Sequence, residues 1–560
     1  MSAYTKMVPS RFLACSALGL LLASIAVPPA GADDATPAEA APAAPAAPAP
    51  DPDAGAAVAP AALPAFDVWE FRVLGNTTLP GAAVERVVYP FLGAHKTTSD
   101  VEAARAALER SYRDAGYATV FVDIPEQKVT NGIVRLRVTE GRLDRVRITG
   151  SRYFSNGQIR AALPALSSGQ VPVLPEVQAQ LGALNRATGD RSIIPVLKAG
   201  RAPGTVDVEL KVKDTLPLHG SLEVNDRYTA DTSRLRVTAA LSYDNLFQRQ
   251  HSLALQYQTA PQHRKDVQAE VASYSFPVHS WGNSTVVLYA VDSQTDVATL
   301  GTLSVLGTGQ IYGLKWLRPL PGSTAFFQSL SLGVDYKDLL ENIRLSATEE
   351  VKTPIRYLNW NGGWTGTLHG AHSVSSLNAG IGFGVRGVVN KFAAFENKRF
   401  KGAPNYFNLR LGAQQTRDLG RNLQLFGRIS GQLTEHPLVN SEQFGIGGED
   451  TVRGYLESSE LGDLGYAATF EVREPWPFQP LGLPPGAAYL LVFYDRGMVR
   501  VVDQLPGLSS RFDLASWGAG FRVNGWHGLT LAFDWAQAQK PSGTVKRGDS
   551  RVHFTVKQSF

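Results

Sequence analysis

The final ten residues, RVHFTVKQSF (551–560), carry the pattern that most limits how this chain can fold. Val552, Phe554, Val556 and Phe560 alternate with Arg551, His553, Thr555, Lys557 and Ser559. A period of two places one apolar and one polar face on a single strand. The pattern recurs at 234–244, 250–259, 266–276, 404–415 and 422–433. From residue 216 to residue 560 we count about sixteen such segments of roughly ten residues, the length of a tilted strand that crosses a bilayer. A soluble sandwich would turn the apolar face to a second sheet. An outer-membrane barrel would turn it to lipid and leave the polar face to a wet lumen.

The other end of the chain bears on that choice. Residues 1–32 have the form of an export signal. Lys6 and Arg11 precede the apolar run FLACSALGLLLASIAV, and Ala30-Gly31-Ala32 fits a cleavage site. The single cysteine, Cys15, lies inside that signal, so the mature chain is expected to have no disulfide and no thiolate chemistry. No later run reaches the length of a transmembrane helix. Export without a helical anchor leaves a periplasmic or secreted protein, or a barrel. Eight of the nine tryptophans fall in the strand-rich part, as interfacial girdles would require. These features, with the terminal aromatic Phe560 read as a barrel-assembly signal, favour the barrel over residues 216–560.

Between the two ends lie three further segments. Residues 33–65 are rich in Ala and Pro and are expected to be a disordered linker. Residues 66–142 read as strand, helix, helix, strand, strand. The longer helix is expected to be capped by Ser99 with Glu102 three residues on, and to bury Val101, Ala104, Leu108 and Tyr112. Residues 143–213 repeat the order, which gives two tandem α+β modules.

Few motifs suggest chemistry. The net charge of +4 offers no basic field for nucleic acid. There is no P-loop and no nucleophile elbow. GFGVRG (382–387) lies in an alternating segment rather than a strand–helix unit. His369 and His372 have no carboxylate near them in sequence, so they suit a turn better than a metal. No cofactor, metal site or catalytic set is expected. What remains is a segment of about 30 residues, 435–464, which contains GIGGEDTVRGYLES (445–458). It is either an external surface loop or a loop that packs against something. If Leu490, Val492 and Tyr494 meet lipid, Asp495 faces the lumen. The same parity turns Glu471, Arg473, Gly518, Gly520 and Arg522 inward. An arginine on a folded-in loop would find carboxylates there, and a guanidinium fork suits a carboxylate.

The chain resembles the outer-membrane transporters of two-partner secretion, the TpsB (FhaC/ShlB/HecB-like) family of the BamA-like superfamily. GYATVFVDIPEQ, VRLRVTEGRL and VRITGSRYFS resemble POTRA domains. EQFGIGGEDTVRGY resembles a lumen-loop signature with Val452, Arg453, Gly454 and Tyr455 as its centre. Phe493-x-Asp495-x-Gly497 and Gly518-x-Gly520-x-Arg522 resemble the barrel-wall motifs that anchor it. The resemblance implies two periplasmic POTRA domains and a sixteen-stranded transmembrane antiparallel β-barrel. It implies a loop tucked into the pore by an Arg453–Asp495 pair, and type V export of a large exoprotein of haemolysin, haemagglutinin or adhesin type. The partners implied are that exoprotein's N-terminal secretion domain, outer-membrane lipid, the barrel assembly machinery and periplasmic chaperones. Family members often carry an amphipathic plug helix, and the proline-interrupted 33–65 segment departs from that. An outer-membrane insertase of the same superfamily is the alternative. A passive porin and a secreted enzyme or adhesin fit the modules and motifs less well.

Overall fold

The computed structural model describes residues 65–560, apart from 231, 295–296, 301–302, 307, 345–349, 421–422, 476–482 and 484–486. The expected export signal and linker lie outside the described residues, save Ala65.

The first module contains β1 (Glu70–Leu74), α1 (Gly81–Val88), α2 (Thr98–Asp114), β2 (Val120–Asp123) and β3 (Ile133–Glu140). Its sheet runs β1-β3-β2, with β1 parallel and β2 antiparallel to the central strand. A short pair, Phe66–Val68 with Gly93–Lys96, was not foreseen. Helix α2 buries Val101, Ala104, Leu108 and Tyr112 against the sheet, as its 3.6-residue spacing requires. Its cap differs from the sequence expectation. Thr97, not Ser99, is the N-cap, and Asp100 accepts the Thr97 amide at 2.7 Å. The run TTSD offers two overlapping capping registers. The earlier one adds residues to the helix and frees Glu102 to bond Arg105 at 2.7 Å.

The second module repeats the order with β4 (Arg142–Thr149), α3 (Asn156–Ala161), α4 (Leu174–Arg186), β5 (Arg191–Ala199) and β6 (Thr205–Asp214). Its sheet runs β4-β6-β5 and buries Ile159, Val177, Leu181 and Leu210 in a core of its own. Where the modules join, the Glu140 carboxylate accepts the amides of Thr77 (2.6 Å) and Thr78 (2.9 Å) and both their hydroxyls. Burial pushes its pKa up, but the hydrogen bonds from Thr77 and Thr78 outweigh that and hold it below the ordinary carboxylate value.

Sixteen strands then close into one antiparallel barrel, ordered as in the sequence. They are β7 (Leu218–Asn225), β8 (Arg236–Leu246), β9 (His251–Thr259), β10 (Gln268–Val278), β11 (Ser284–Ser293), β12 (Thr308–Leu320), β13 (Phe326–Arg344), β14 (Glu350–His369), β15 (Ser373–Gly384), β16 (Phe407–Asp418), β17 (Gln424–Leu433), β18 (Leu464–Pro475), β19 (Ala488–Arg500), β20 (Arg511–Trp526), β21 (Leu529–Ala538) and β22 (Ser550–Ser559). Alternation sorts their side chains. Leu255, Trp360, Leu377, Phe470, Val492 and Val556 are exposed on the outside, while Asp495, Asp534 and His553 are buried inside. The tryptophans form only a partial girdle. Trp281 and Trp526 sit at the strand ends next to the modules, but Trp360, Trp517 and Trp535 lie along their strands.

Strand β22 closes on β7, pairing Thr555–Ser559 with Asn225–Ser221. The backbone of Phe560 exchanges two further bonds with Gly220, 3.0 and 3.1 Å. A Cβ at Gly220 would collide with the Phe560 ring, so this glycine makes room for the terminal aromatic. Module two touches the adjoining β8–β9 turn. Gln248 accepts the Ser155 amide (2.9 Å) and donates to the Tyr153 carbonyl (3.0 Å).

Candidate functional site

The connection from β17 to β18, residues 434–463, folds into the barrel rather than away from it. One carboxylate gathers its two ends. Asp463, fully buried, accepts the Leu438 amide (2.9 Å) and the Gln443 side chain (2.8 Å) on one oxygen. On the other it accepts the Val502 amide (2.6 Å) and Arg399 (3.1 Å). A short hairpin, Phe444–Ile446 with Glu460–Gly462, carries the chain inward. Beyond it Gly447 and Gly448 both have positive φ, and the Gly448 amide bonds back to the Val452 carbonyl at 3.1 Å. This tight turn aims Val452–Tyr455 at the wall formed by β18–β22.

Arg453 is the centre of the contact. Its Nε and Nη2 donate to the two oxygens of Asp495 at 2.7 and 2.9 Å, the bidentate fork that suits guanidinium and carboxylate. Its own amide donates to Asp495 as well, at 3.1 Å. Nη1 reaches Glu471 at 3.0 Å and Asp534 at 3.3 Å. The guanidinium lies 3.4 Å over the Phe493 ring. Two more arginines complete the charge count. Arg473 pairs with Glu471 (2.7 Å), and Arg522 holds Asp534 through two bonds of 2.6 and 2.7 Å. Three arginines thus face three carboxylates. A buried cluster of this kind is tolerable only when charge is balanced and every group is bonded.

The neighbours of Arg453 fix the tip in place. Gly454 has φ +90°, a left-handed conformation, and its amide donates to His553 Nε2 at 2.9 Å. The Tyr455 hydroxyl lies 2.7 Å from the Lys540 carbonyl and 3.0 Å from that of Ala515. Val452, Tyr455 and Ile446 are fully buried, packed on Leu514, Val499 and Ala538 of the wall.

The wall residues singled out in the sequence do not all act directly. Phe493 and Asp495 touch Arg453. Gly497 admits the loop itself, since a Cβ there would come within 2.9 Å of Val452. Gly518 and Gly520 instead make room for wall side chains. A Cβ on Gly518 would strike the Trp535 carbonyl as well as the Phe493 ring, and one on Gly520 would strike the Asp534 carboxylate. Arg522 meets Asp534 rather than the loop. Asp534, His553 and Asp463 were missed as partners of the loop. For Asp534 and His553 the signal was present, because strand parity turns both inward as it does Asp495. GFGVRG plays a packing role: Gly382 leaves space for Asn408, 2.7 Å from where a Cβ would lie. His369 stacks edge-to-face on Phe327, 5.7 Å between rings.

A second apolar cluster lies inside the barrel end farther from the modules. Phe395, on α5 (Phe392–Glu396) of the β15–β16 connection, joins Tyr406 and the loop residues Leu438 and Val439. They pack on Ile311, Leu339, Ile355 and Tyr357 of the inner wall. Beneath them Glu442 is bonded by Lys337 (2.5 Å) and Tyr357 (2.7 Å). Arg399, from the same connection as α5, is the arginine on Asp463, so this cap and the base of the loop share a carboxylate.

Comparison with known proteins bears on this arrangement. A model of the haemolysin secretion/activation protein family ShlB/FhaC/HecB matches residues 204–523, and a model of the ShlB-type POTRA domain matches residues 66–141. The chain is similar to the outer membrane transporter CdiB of Dickeya dadantii, 23% identical over 75% of this chain and 74% of the relative. It is also similar to the heme/hemopexin transporter protein HuxB of Haemophilus influenzae, 20% identical over 82% and 81%. Among solved structures, CdiB from Escherichia coli superposes with a TM-score of 0.61 at 18% identity, covering 91% of this chain and 93% of that one. BamA from Haemophilus ducreyi lacking POTRA domains 1–3 gives 0.54 at 14% identity, covering 88% and 100%. At these identities the superpositions speak for the fold.

Proposed function

Because the chain belongs to the haemolysin secretion/activation family ShlB/FhaC/HecB and is an outer-membrane two-partner secretion transporter, we propose that it exports one large exoprotein and that Arg453 holds its pore in the resting state. The observation that carries this is the seating of the loop tip: one arginine locked to Asp495, Glu471 and Asp534 on the inner wall of the barrel. The barrel spans the outer membrane, and the POTRA region lies in the periplasm. The second module, with the same strand and helix order as the first, is taken as a second POTRA domain. Phe560 is taken as the barrel-assembly signal, read by the assembly machinery after periplasmic chaperones deliver the unfolded chain.

The modules offer the partner a place to dock. β5 is an edge strand of nine residues with Ile194 and Leu197 exposed. An extended segment of the exoprotein's secretion domain can add to such an edge, with backbone bonds for affinity and side-chain pockets for specificity. The sequence has no P-loop, so the driving force comes from folding of the exoprotein outside.

The test is co-expression with a candidate exoprotein that has an N-terminal secretion domain. Exoprotein is expected in the medium when this chain is present and in the periplasm when it is deleted. Equal amounts in the medium in both strains would refute the reading. The BamA-like fold supports a second reading, a barrel insertase. That predicts a general fall in outer-membrane barrels on deletion, which a transporter does not.

The cap gives a separate prediction. Phe395→Ala with Leu438→Ala removes two large side chains from the cluster, each worth about 2–5 kcal/mol. Single-channel conductance in planar bilayers is expected to rise, with the barrel still resistant to unfolding in cold detergent. Unchanged conductance would show that the cap is no barrier to ions.

A further inference from the structure

A mixed group of nitrogen and oxygen donors sits where module two meets the barrel. Asp190, the residue before β5, places its Oδ2 3.1 Å from His219 Nε2, and Asp244 Oδ2 lies 3.6 Å from the same nitrogen. All three side chains offer a donor atom within 4.8 Å of the others. His219 is on β7 and Asp244 on β8, so the donors come from both sides of the link 215–217 between module and barrel. That link holds the two aspartates by their backbones. The Thr215 amide donates to the Asp190 carbonyl, and the Asp244 amide donates to the Pro217 carbonyl, both at 2.8 Å. Two hydroxyls orient the carboxylates. Thr188 donates to Asp190 Oδ2 at 3.0 Å, and Ser252 donates to Asp244 Oδ1, which leaves Asp244 Oδ2 facing the imidazole. Asp190 is buried. Yet among the described residues neither carboxylate has a lysine or arginine ion-pair partner, and His219 is the sole side chain beside them that can carry positive charge. The buried Asp463 and Asp495, by contrast, each meet an arginine.

We infer that Asp190, His219 and Asp244 bind a zinc ion that pins module two to the periplasmic mouth of the barrel. The inference goes beyond the secretion reading and stands without it. Charge points to a cation. Two carboxylates beside one imidazole carry a surplus of negative charge, and the burial of Asp190 makes that surplus costly. Donor chemistry points to zinc. Magnesium and calcium take oxygen ligands, whereas imidazole joined by carboxylates suits zinc. Spacing agrees. Bonds of about 2.0–2.1 Å at a tetrahedral angle put donor atoms roughly 3.3 Å apart, and the separations of 3.1 and 3.6 Å fall on either side of that. Water fills the fourth position in a site with three protein ligands. The hydroxyls of Thr188 and Ser252 are the outer partners that hold such carboxylates in place. A hydrogen-bonded histidine accounts for the contact with Asp190, but the 3.6 Å to Asp244 is too long for a hydrogen bond. The consequence is mechanical. Module two also touches the β8–β9 turn, through Gln248 on Ser155 and Tyr153. A metal bridge at Asp190 adds a second fixed point, and two fixed points beside a three-residue link define the orientation of the module.

The test uses the full chain in detergent, without a histidine tag, stripped by a chelator and titrated with Zn2+. Calorimetry is expected to show one zinc per chain. His219→Gln and Asp190→Asn are each expected to lose about a hundredfold in affinity, the upper end of what losing an outer partner costs a metal site, with the heat-modifiable mobility of the barrel unchanged. Co2+ in place of zinc is expected to give the strong visible absorption of tetrahedral coordination rather than the weak bands of an octahedral ion. No stoichiometric binding, an octahedral cobalt spectrum, or equal binding by the wild type and His219→Gln overturns the site, the last by putting the zinc on other histidines. Pinning has its own readout. The only cysteine in the sequence, Cys15, lies in the expected export signal, so spin labels can be attached through Lys198→Cys in module two and Trp281→Cys at the barrel mouth. The distance distribution between them is expected to be narrower with zinc than with chelator, and to be indifferent to zinc when His219→Gln is added. Equal widths with and without zinc, in a chain that binds it, overturn the pinning. Secretion is not read in any of these arms, so none of their outcomes touches the transport reading.

Discussion

Arg453→Ala is expected to leave a fully assembled barrel that secretes almost no exoprotein. The substitution removes one cation from a cluster of three arginines and three carboxylates. Asp495 loses its bidentate partner, and Glu471 and Asp534 each lose one contact. Leaving a buried charge without its partner costs about 3–5 kcal/mol. That is enough to shift the ratio of seated to unseated loop by a factor on the order of a hundred or more. The barrel has no such dependence, because its ladder closes through backbone bonds from β7 to β22 without the loop. The two effects therefore separate: heat-modifiable mobility and membrane abundance near wild type, exoprotein in the medium reduced at least about tenfold. Arg453→Lys keeps the charge but not the planar fork, so it should fall between the two. Exoprotein at wild-type level from an Arg453→Ala barrel of normal abundance would remove Arg453 from the mechanism.

How far this site was legible follows from what kind of information each part needs. Parity is local, and it was enough to turn Asp495, Gly518, Gly520 and Arg522 toward the lumen and Leu490, Val492 and Tyr494 away from it. Barrel strand number was legible for the same reason. Pairing across several strands is not local. His553 meets Gly454 although 99 residues separate them, and Asp534 meets Arg453 across 81. Those contacts depend on the stagger of β19, β20, β21 and β22, which no single strand encodes. The division between glycines that admit the loop and glycines that admit a wall side chain has the same origin. At Gly518 the crowding groups are the Trp535 carbonyl and the Phe493 ring, one on each flanking strand. The cap on α2 was missed for a different reason: TTSD contains two competing registers of similar local merit, and packing decides between them. Asp463 had no signal at all, because its four donors come from three separated stretches of chain.

The cluster's asymmetry yields the sharpest test of whether the loop is held by one pair or by a network. Asp495→Ala removes the acceptor of Arg453 Nε, Nη2 and backbone amide, but Arg453 keeps Glu471 at 3.0 Å and Asp534 at 3.3 Å. The cluster is then three arginines on two carboxylates, and Phe493 still lies beneath the guanidinium. Secretion should fall about tenfold, the low end of the 1.5–3 kcal/mol of a charged hydrogen bond, yet stay above that of Arg453→Ala. The double variant should secrete no less than Arg453→Ala alone, since the shared interaction is lost only once. An exchange of the two charges, Arg453→Asp with Asp495→Arg, would rescue an isolated ion pair. Here it puts a carboxylate at the loop tip against Glu471 and Asp534, so no rescue is expected. If the exchanged variant restores secretion to the wild-type level, the two further carboxylates have no part in seating the loop, and Arg453–Asp495 acts as a simple pair.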